Sequence, residues 1–298
     1  MTPESIALVN QFLVPVGLML IMFSLGLTLT LRDFAAVFSG GRYVATGFAI
    51  HLFVLPLLGL AIGLLFRLPP ELALGLFIVS ICPAGTTSNA LTFVGRGNVA
   101  LAVILTVLTS IVTVFSIPLL LSWAVPHFLS GSGAKIPELR VIDTMLQLAR
   151  ITVLPIAIGM VVRHFAPGFA ARTARLLRPT SFVVLVGVIA FAVIVSWQMV
   201  VQNLIAATPA IYALNICAMG IGLLAGRLLG ANNRDAMTLA IETGVQNATL
   251  ALFLTMTVLG SLPLAVTQNI YGVIMLLNAT LLIRWFRRRI LAEERTAA

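Results

Sequence analysis

The chain has 298 residues, 60% hydrophobic and 9% charged, with a formal net charge of +9. Soluble domains carry roughly 25% charged residues, and no soluble core of this length could hide many helices that are apolar on every side. A water-soluble enzyme or nucleic-acid binder is therefore excluded. The basic residues sit at the ends of apolar runs, where they act as topology signals.

Several runs exceed the ~20 residues that cross a bilayer as a helix. Nine spans are predicted in chain order, near 8–29, 43–66, 71–94, 98–124, 142–163, 180–201, 208–227, 236–258 and 264–284. The opening Met1-Thr-Pro-Glu-Ser5 lacks a basic region, so no cleaved signal peptide is expected. With the N-terminus outside, 14 of the 18 basic residues fall on inner segments, among them Arg284, Arg287, Arg288 and Arg289. The positive-inside rule then gives an outer N-terminus and a cytoplasmic C-terminus in the cell (inner, plasma) membrane. The longest break, about 125–141, leaves four spans before it and five after.

The third span carries Ile81-Cys-Pro-Ala-Gly-Thr-Thr-Ser-Asn-Ala90. Proline removes a backbone donor and breaks the helix, and Thr86, Thr87, Ser88 and Asn89 place polar side chains at membrane depth. Bare backbone facing lipid is not tolerated, so the break must be buried or line a wet cavity. The eighth span carries Ala240-Ile-Glu-Thr-Gly-Val-Gln-Asn-Ala-Thr249. Glu242 is the one acid near the middle of an apolar run, where a charge costs about 2.5–3.5 kcal/mol on insertion scales. The plainer alternatives are a kinked helix whose hydroxyls bond their own backbone, and a protonated glutamate shared between helices.

The two interrupted spans hold corresponding places, each one span before the last of its half. Paired interruptions of this kind point to a secondary transporter with repeats and a site at the bilayer midplane. The odd span count fits inverted repeats. Glu242 supplies a negative charge, and Ser88, Asn89, Thr106 and Gln246 supply neutral oxygens that suit a small hard cation such as Na⁺. The amides of Thr86 and Thr87, at the positive end of a half-helix, suit an anion.

These residues resemble the bile acid:sodium symporter family. The resemblance rests on three stretches: Phe23-Ser-Leu-Gly-Leu-Thr-Leu-Thr-Leu-Arg-Asp-Phe34; Cys82-Pro-Ala-Gly-Thr-Thr-Ser-Asn89 with Gly95-Arg-Gly-Asn-Val-Ala-Leu101; and Glu242-Thr-Gly-Val-Gln-Asn247. It implies an all-α polytopic membrane protein whose two discontinuous helices cross. The nine spans match members that lack the first of ten helices. It also implies a core domain from about 43–124 and 208–284, moving against a panel from about 8–29 and 142–201. One sodium site would use Ser88, Asn89, Thr106 and Glu242, with Ala102 where the family has a further hydroxyl. A second would use Glu242, Thr243, Val245 and Gln246, with His51 in place of a family glutamine. His51 either replaces the amide as a neutral ligand or, as a protonatable group, opposes a second Na⁺. Asn247 and Asn278 match polar residues that line the family's substrate cavity, although Asn278 is equally explained as an interhelical hydrogen bond.

The expected function is therefore sodium-coupled symport of an organic anion, either bile acid-like or a small carboxylate, by alternating access as a single transporter unit. Na⁺ is the coupling ion and no other cofactor is expected. The partners are the anion, Na⁺ and the lipid bilayer, without nucleic acid. An alternative is a proton-coupled or uncoupled carrier of a small solute such as arsenite, with Cys82 as a thiolate ligand. An intramembrane enzyme is disfavoured: HExxH, GxSxG and paired intramembrane aspartates are missing from the sequence.

Overall fold

The computed structural model describes residues 12–31, 33, 41–130 and 139–297. Among them the chain is helical, with β pairing confined to one isolated bridge. The first predicted span contains α1 (Val14–Gly26); its residues 8–11, and Arg32 and Phe34 of the first resemblance stretch, lie outside the described residues. Then come α2 (Gly41–Leu65), α3 (Pro70–Ile81), α4 (Thr86–Val94), α5 (Val99–Leu129) and α6 (Val141–Phe165). The second half holds α7 (Pro167–Val195), α8 (Trp197–Leu228), α9 (Asn233–Gly244), α10 (Ala248–Val258) and α11 (Leu262–Ala297). Five of these, α2, α5, α6, α8 and α11, are long and apolar enough to cross a membrane, and α1, α3 and α10 are shorter apolar helices.

Proline shapes the long helices without ending them. In α2 the turn Ile50–Val54 widens to π geometry just before Pro56, and the Leu55 amide bonds Ile50 O. In α6 the turn Ala149–Val153 widens just before Pro155, and Leu154 bonds Ala149 O. A proline lacks the amide for an ordinary turn and its ring crowds the preceding carbonyl; one wider turn absorbs both effects.

Helix limits differ from the sequence expectation at three points. The sixth and seventh spans part at Ser196, inside the predicted 180–201 segment, and not at 202–207. Gln202 and Asn203 stay helical, with Asn203 Nδ2 donating to Met199 O at 2.8 Å; polar side chains that bond their own backbone do not end a helix. α5 continues to Leu129 into the predicted break, whose residues 131–138 lie outside the described residues. α11 runs to Ala297, well past 284.

The two helices that lead into the breaks, α3 and α9, are deeply placed. Every residue from Leu72 to Ile81 and from Ala236 to Gly244 is buried, whereas α2, α6 and α8 each expose large apolar residues such as Leu57, Leu154 and Ile205. A helix apolar all round belongs inside, and one exposing apolar residues belongs against lipid.

α1 packs chiefly on α6 and α7. The α1–α6 contact requires glycine: a Cβ on Gly26 would stand 2.2 Å from Ile156 O, and one on Gly159 would stand 2.6 Å from Phe23 O. Small residues let helix backbones meet this closely in a membrane. The Arg163 guanidinium then donates to Leu27 O at 3.2 Å, just past the end of α1. Gly26→Ala is expected to lower stability by about 1–3 kcal/mol through overpacking. Gly168→Ala, where a Cβ meets nothing within 4 Å, should stay within about 0.5 kcal/mol; melting curves of the two purified variants check the contrast.

Candidate functional site

The site begins where two helices stop. After Ile81 the chain turns extended at Cys82 (φ −72°, ψ 152°) and returns to helix after Gly85 (φ −80°, ψ 145°). After Gly244 it leaves the helix at Val245 (φ −101°, ψ 89°) and resumes after Asn247. The two extended pieces pair antiparallel through the Ala84–Gln246 bridge. Gly85 N donates to Val245 O and Asn247 N donates to Pro83 O, both at 2.9 Å. Each break thus satisfies the other's backbone in the protein interior, as apolar surroundings require. Gly85 allows the approach, since a Cβ there would lie 2.9 Å from Gln246 O.

The crossing gathers oxygens around Glu242, which is 0% exposed. Thr106 Oγ1 donates to Glu242 Oε2 at 3.0 Å and also lies 3.4 Å from Asn89 Oδ1. Ser88 Oγ donates to Glu242 Oε1, with Gly85 O as a second acceptor at 2.6 Å. Each hydroxyl has a single proton, so the group holds more acceptors than donors. Its side chains come from α4, α5 and α9. Ala102 is buried and offers no oxygen. One carboxylate among neutral oxygens makes a hard donor set with a single negative charge, suited to a monovalent cation.

The other predicted sodium ligands lie on the far side of the same break. His51 is 5% exposed in the π turn of α2, and both ring nitrogens lack a hydrogen-bond partner. Gln246 Nε2 donates to Thr243 O at 2.6 Å, while Gln246 Oε1 is unpartnered. The Val245 carbonyl holds the crossing. Thr243 Oγ1 turns away, 2.9 Å from Ala218 O and from Leu239 O. Thr243 therefore offers its carbonyl and not its hydroxyl.

On the anion side, Gly85 caps α4 without a side-chain bond, so the Thr86 and Thr87 amides have no acceptor within the helix. Asn247 caps α10, its Oδ1 accepting from Leu250 N at 3.0 Å. Asn247 also lines a narrow crevice with Pro83 and Ser110 on one wall and Met22 and Thr152, from α1 and α6, on the other. Asn278 is engaged in an interhelical bond, its Nδ2 donating to Asn215 Oδ1 at 2.8 Å. Cys82 packs within the main apolar cluster.

Two residues escaped the sequence reading. Asn215 Nδ2 and Tyr271 OH both donate to Gly244 O at 2.8 Å. They satisfy the last carbonyl before the second break and tie it to α8 and α11. An isolated asparagine in the apolar run Ala210-Ile-Tyr-Ala-Leu-Asn-Ile-Cys217 was the available signal. Helix starts are cross-linked as well. Asn98 Nδ2 donates to Asp235 Oδ1 at 2.7 Å, joining the starts of α5 and α9. Gln268 Nε2 donates to Gly75 O at 3.1 Å, joining the second turn of α11 to the middle of α3.

A multi-pass helical membrane protein with a buried acid and paired helix breaks at its centre has the form of a carrier. The chain belongs to the sodium bile acid symporter family, whose sequence model matches residues 15–203. It is 28% identical over 250 residues to the probable sodium/metabolite cotransporter BASS1, chloroplastic, of Arabidopsis thaliana, covering 80% of this chain and 58% of that protein. It is 29% identical over 282 residues to the sodium-dependent transporter YocS of Bacillus subtilis, covering 92% of this chain and 83% of that one. The human ileal sodium/bile acid cotransporter is 25% identical over 262 residues, 83% of this chain and 71% of its own. The chain thus spans less than three fifths of its chloroplast relative. All three relatives are named transporters or cotransporters, none an enzyme.

Asn215→Leu removes one donor from Gly244 O and strands the Asn278 amide, an expected loss of about 1–3 kcal/mol. Tyr271→Phe leaves Gly244 O bonded to Asn215, with an expected loss of about 0.5–1.5 kcal/mol. Thermal unfolding of both variants in detergent tests this order.

Proposed function

We propose that this protein is a sodium-coupled symporter of an organic anion that works by alternating access. The observation that carries the reading is the buried Glu242 carboxylate, held by Ser88 and Thr106 hydroxyls beside two crossed helix breaks. The coupling Na⁺ binds at Ser88, Asn89, Thr106 and Glu242, where it relieves the crowding of acceptor oxygens. The second site, at the carbonyls of Glu242, Thr243 and Val245 and the Gln246 amide, is weakened by His51, so the first site dominates coupling. The substrate carboxylate binds at the Thr86 and Thr87 amides, with Asn247 and Asn278 bordering its cavity.

The chain crosses the plasma membrane nine times, N-terminus outside and C-terminus in the cytoplasm. α3 with α4, and α9 with α10, each make one interrupted span. The pairing of α5 with α9 through Asn98 and Asp235, and of α11 with α3 through Gln268 and Gly75, supports an inverted repeat. The packing of α1 on α6 and α7 supports a panel of about 8–29 and 142–201 beside a core of about 43–124 and 208–284. Sliding of core against panel opens the crevice at Asn247 to one side and then the other.

Sodium binding is tested without knowledge of the substrate. A ligand that binds only the folded state adds RT ln(1 + [L]/Kd), about 2.7 kcal/mol at a hundredfold excess over Kd. The expected result is a saturable rise in melting temperature in NaCl over matched KCl. The rise should vanish in Glu242→Gln and need a higher sodium concentration in Thr106→Val. A sodium response unchanged in Glu242→Gln would overturn the assignment. In proteoliposomes, Glu242→Ala is expected to abolish uptake of organic anions driven by a sodium gradient. Retained gradient-driven uptake would refute the coupling role.

A further inference from the structure

Away from the crossing, an open groove of about 670 Å³ runs between α8 and α11 where both helices reach their basic ends. Arg227 and Arg289 line it, and among the described residues no acidic side chain does. The acid nearest in sequence to its wall, Asp235, turns to Asn98. The Arg289 guanidinium stacks on the Trp285 ring at 4.0 Å, and the Arg227 guanidinium lies 5.5 Å from the Phe286 ring. These rings fix the planes of the two guanidiniums. Arg227 also reaches Ala231 O at 3.4 Å and Asn233 Oδ1. With five N–H donors on each arginine, donors remain for an anion.

Beyond the groove's lining, the exposed residues on the same face of α11 are apolar. On α11 the exposed residues Leu277 and Leu281 recur every four positions and lead to Trp285 and then Arg289. Residues four apart share one helix face, and three turns from Leu277 to Arg289 span roughly 18 Å, more than half of a hydrocarbon leaflet pair of about 30 Å. On α8, exposed Leu224 and, one turn earlier, Gly220 form the facing wall, and a Cβ on Gly220 would meet nothing within 4 Å. A tryptophan at the junction of apolar and basic residues marks the headgroup level.

We infer that this groove is a binding site for an anionic glycerophospholipid, its phosphate held by Arg227 and Arg289 and one acyl chain laid along Gly220, Leu224, Leu277 and Leu281. The charge selects an anionic headgroup, and the apolar track selects a lipid over a soluble phosphate. The site is independent of the Glu242 centre and does not rest on the transport reading.

The experiment uses the full chain, delipidated in an uncharged detergent and titrated with short-chain phosphatidylglycerol. The readouts are melting temperature and adducts in native mass spectrometry. A saturable rise with a single predominant adduct is expected, absent with phosphatidylcholine of the same chain length and with glycerol 3-phosphate. Arg289→Gln should raise the half-saturating lipid concentration at least tenfold. Because Arg289 has no partner but the Trp285 ring among the described residues, this variant tests the site without touching the Arg227 loop. Arg172→Gln/Arg175→Gln, which removes exposed charge from α7, should behave as wild type. Equal responses to the two lipids, an equal response to glycerol 3-phosphate, or wild-type lipid affinity in Arg289→Gln would each overturn the inference.

Discussion

The structure depends on a backbone constraint. A peptide group inside a membrane protein must find a partner within the protein, and two helices here stop short of crossing. Their loose ends are satisfied by each other, through Gly85 N with Val245 O and Asn247 N with Pro83 O. Neither break is stable alone. Pro83 supplies the interruption in one helix, Gly85 permits the close passage, and Asn247 restarts the other helix as its cap. The crossing explains why the segments leading into the breaks, Leu72–Ile81 and Ala236–Gly244, are buried throughout.

The same constraint produces the chemistry. Unwinding the helices brings the first turn of α4 beside the last turn of α9, so Ser88 and Glu242, distant in sequence, meet side chain to side chain. α5 contributes Thr106 from the next span. The result is a compact set of oxygens with too few protons. Behind it, Asn215 and Tyr271 hold the carbonyl of Gly244, and Asn278 donates in turn to Asn215. Such a network, satisfied on every member, makes the break rigid. The group of α1, α6 and α7 meets the crossing across a narrow crevice. Within that group, α1 and α6 are joined by close glycine contacts and by the bond from Arg163 to Leu27 O.

His51 departs from this economy. Both of its nitrogens are buried without partners, whereas nearly all buried polar groups are satisfied. It stands in a π turn created by Pro56 two residues beyond, and such turns recur at functional sites. Gln246 Oε1, at the second break, is likewise buried without a partner.

The sequence by itself determined the membrane class, the approximate place of most helices and the two interruptions. These follow from local facts: run length, proline, glycine, and an acid where no acid is cheap. Residue chemistry offered Ser88, Asn89, Thr106 and Gln246 as oxygens for Glu242, and the family resemblance grouped Ser88, Asn89, Thr106 and Glu242 as one set. It misplaced the α7–α8 boundary, since Gln202 and Asn203 look like a loop until their helical backbone is seen. It left Asn278 open between cavity and helix contact, and passed over Asn215 and Tyr271. Only tertiary structure decided those, because a hydrogen bond across helices depends on rotation and depth, which spacing along one chain does not encode. The antiparallel pairing of the breaks is likewise a property of two segments in contact, and neither segment alone specifies it.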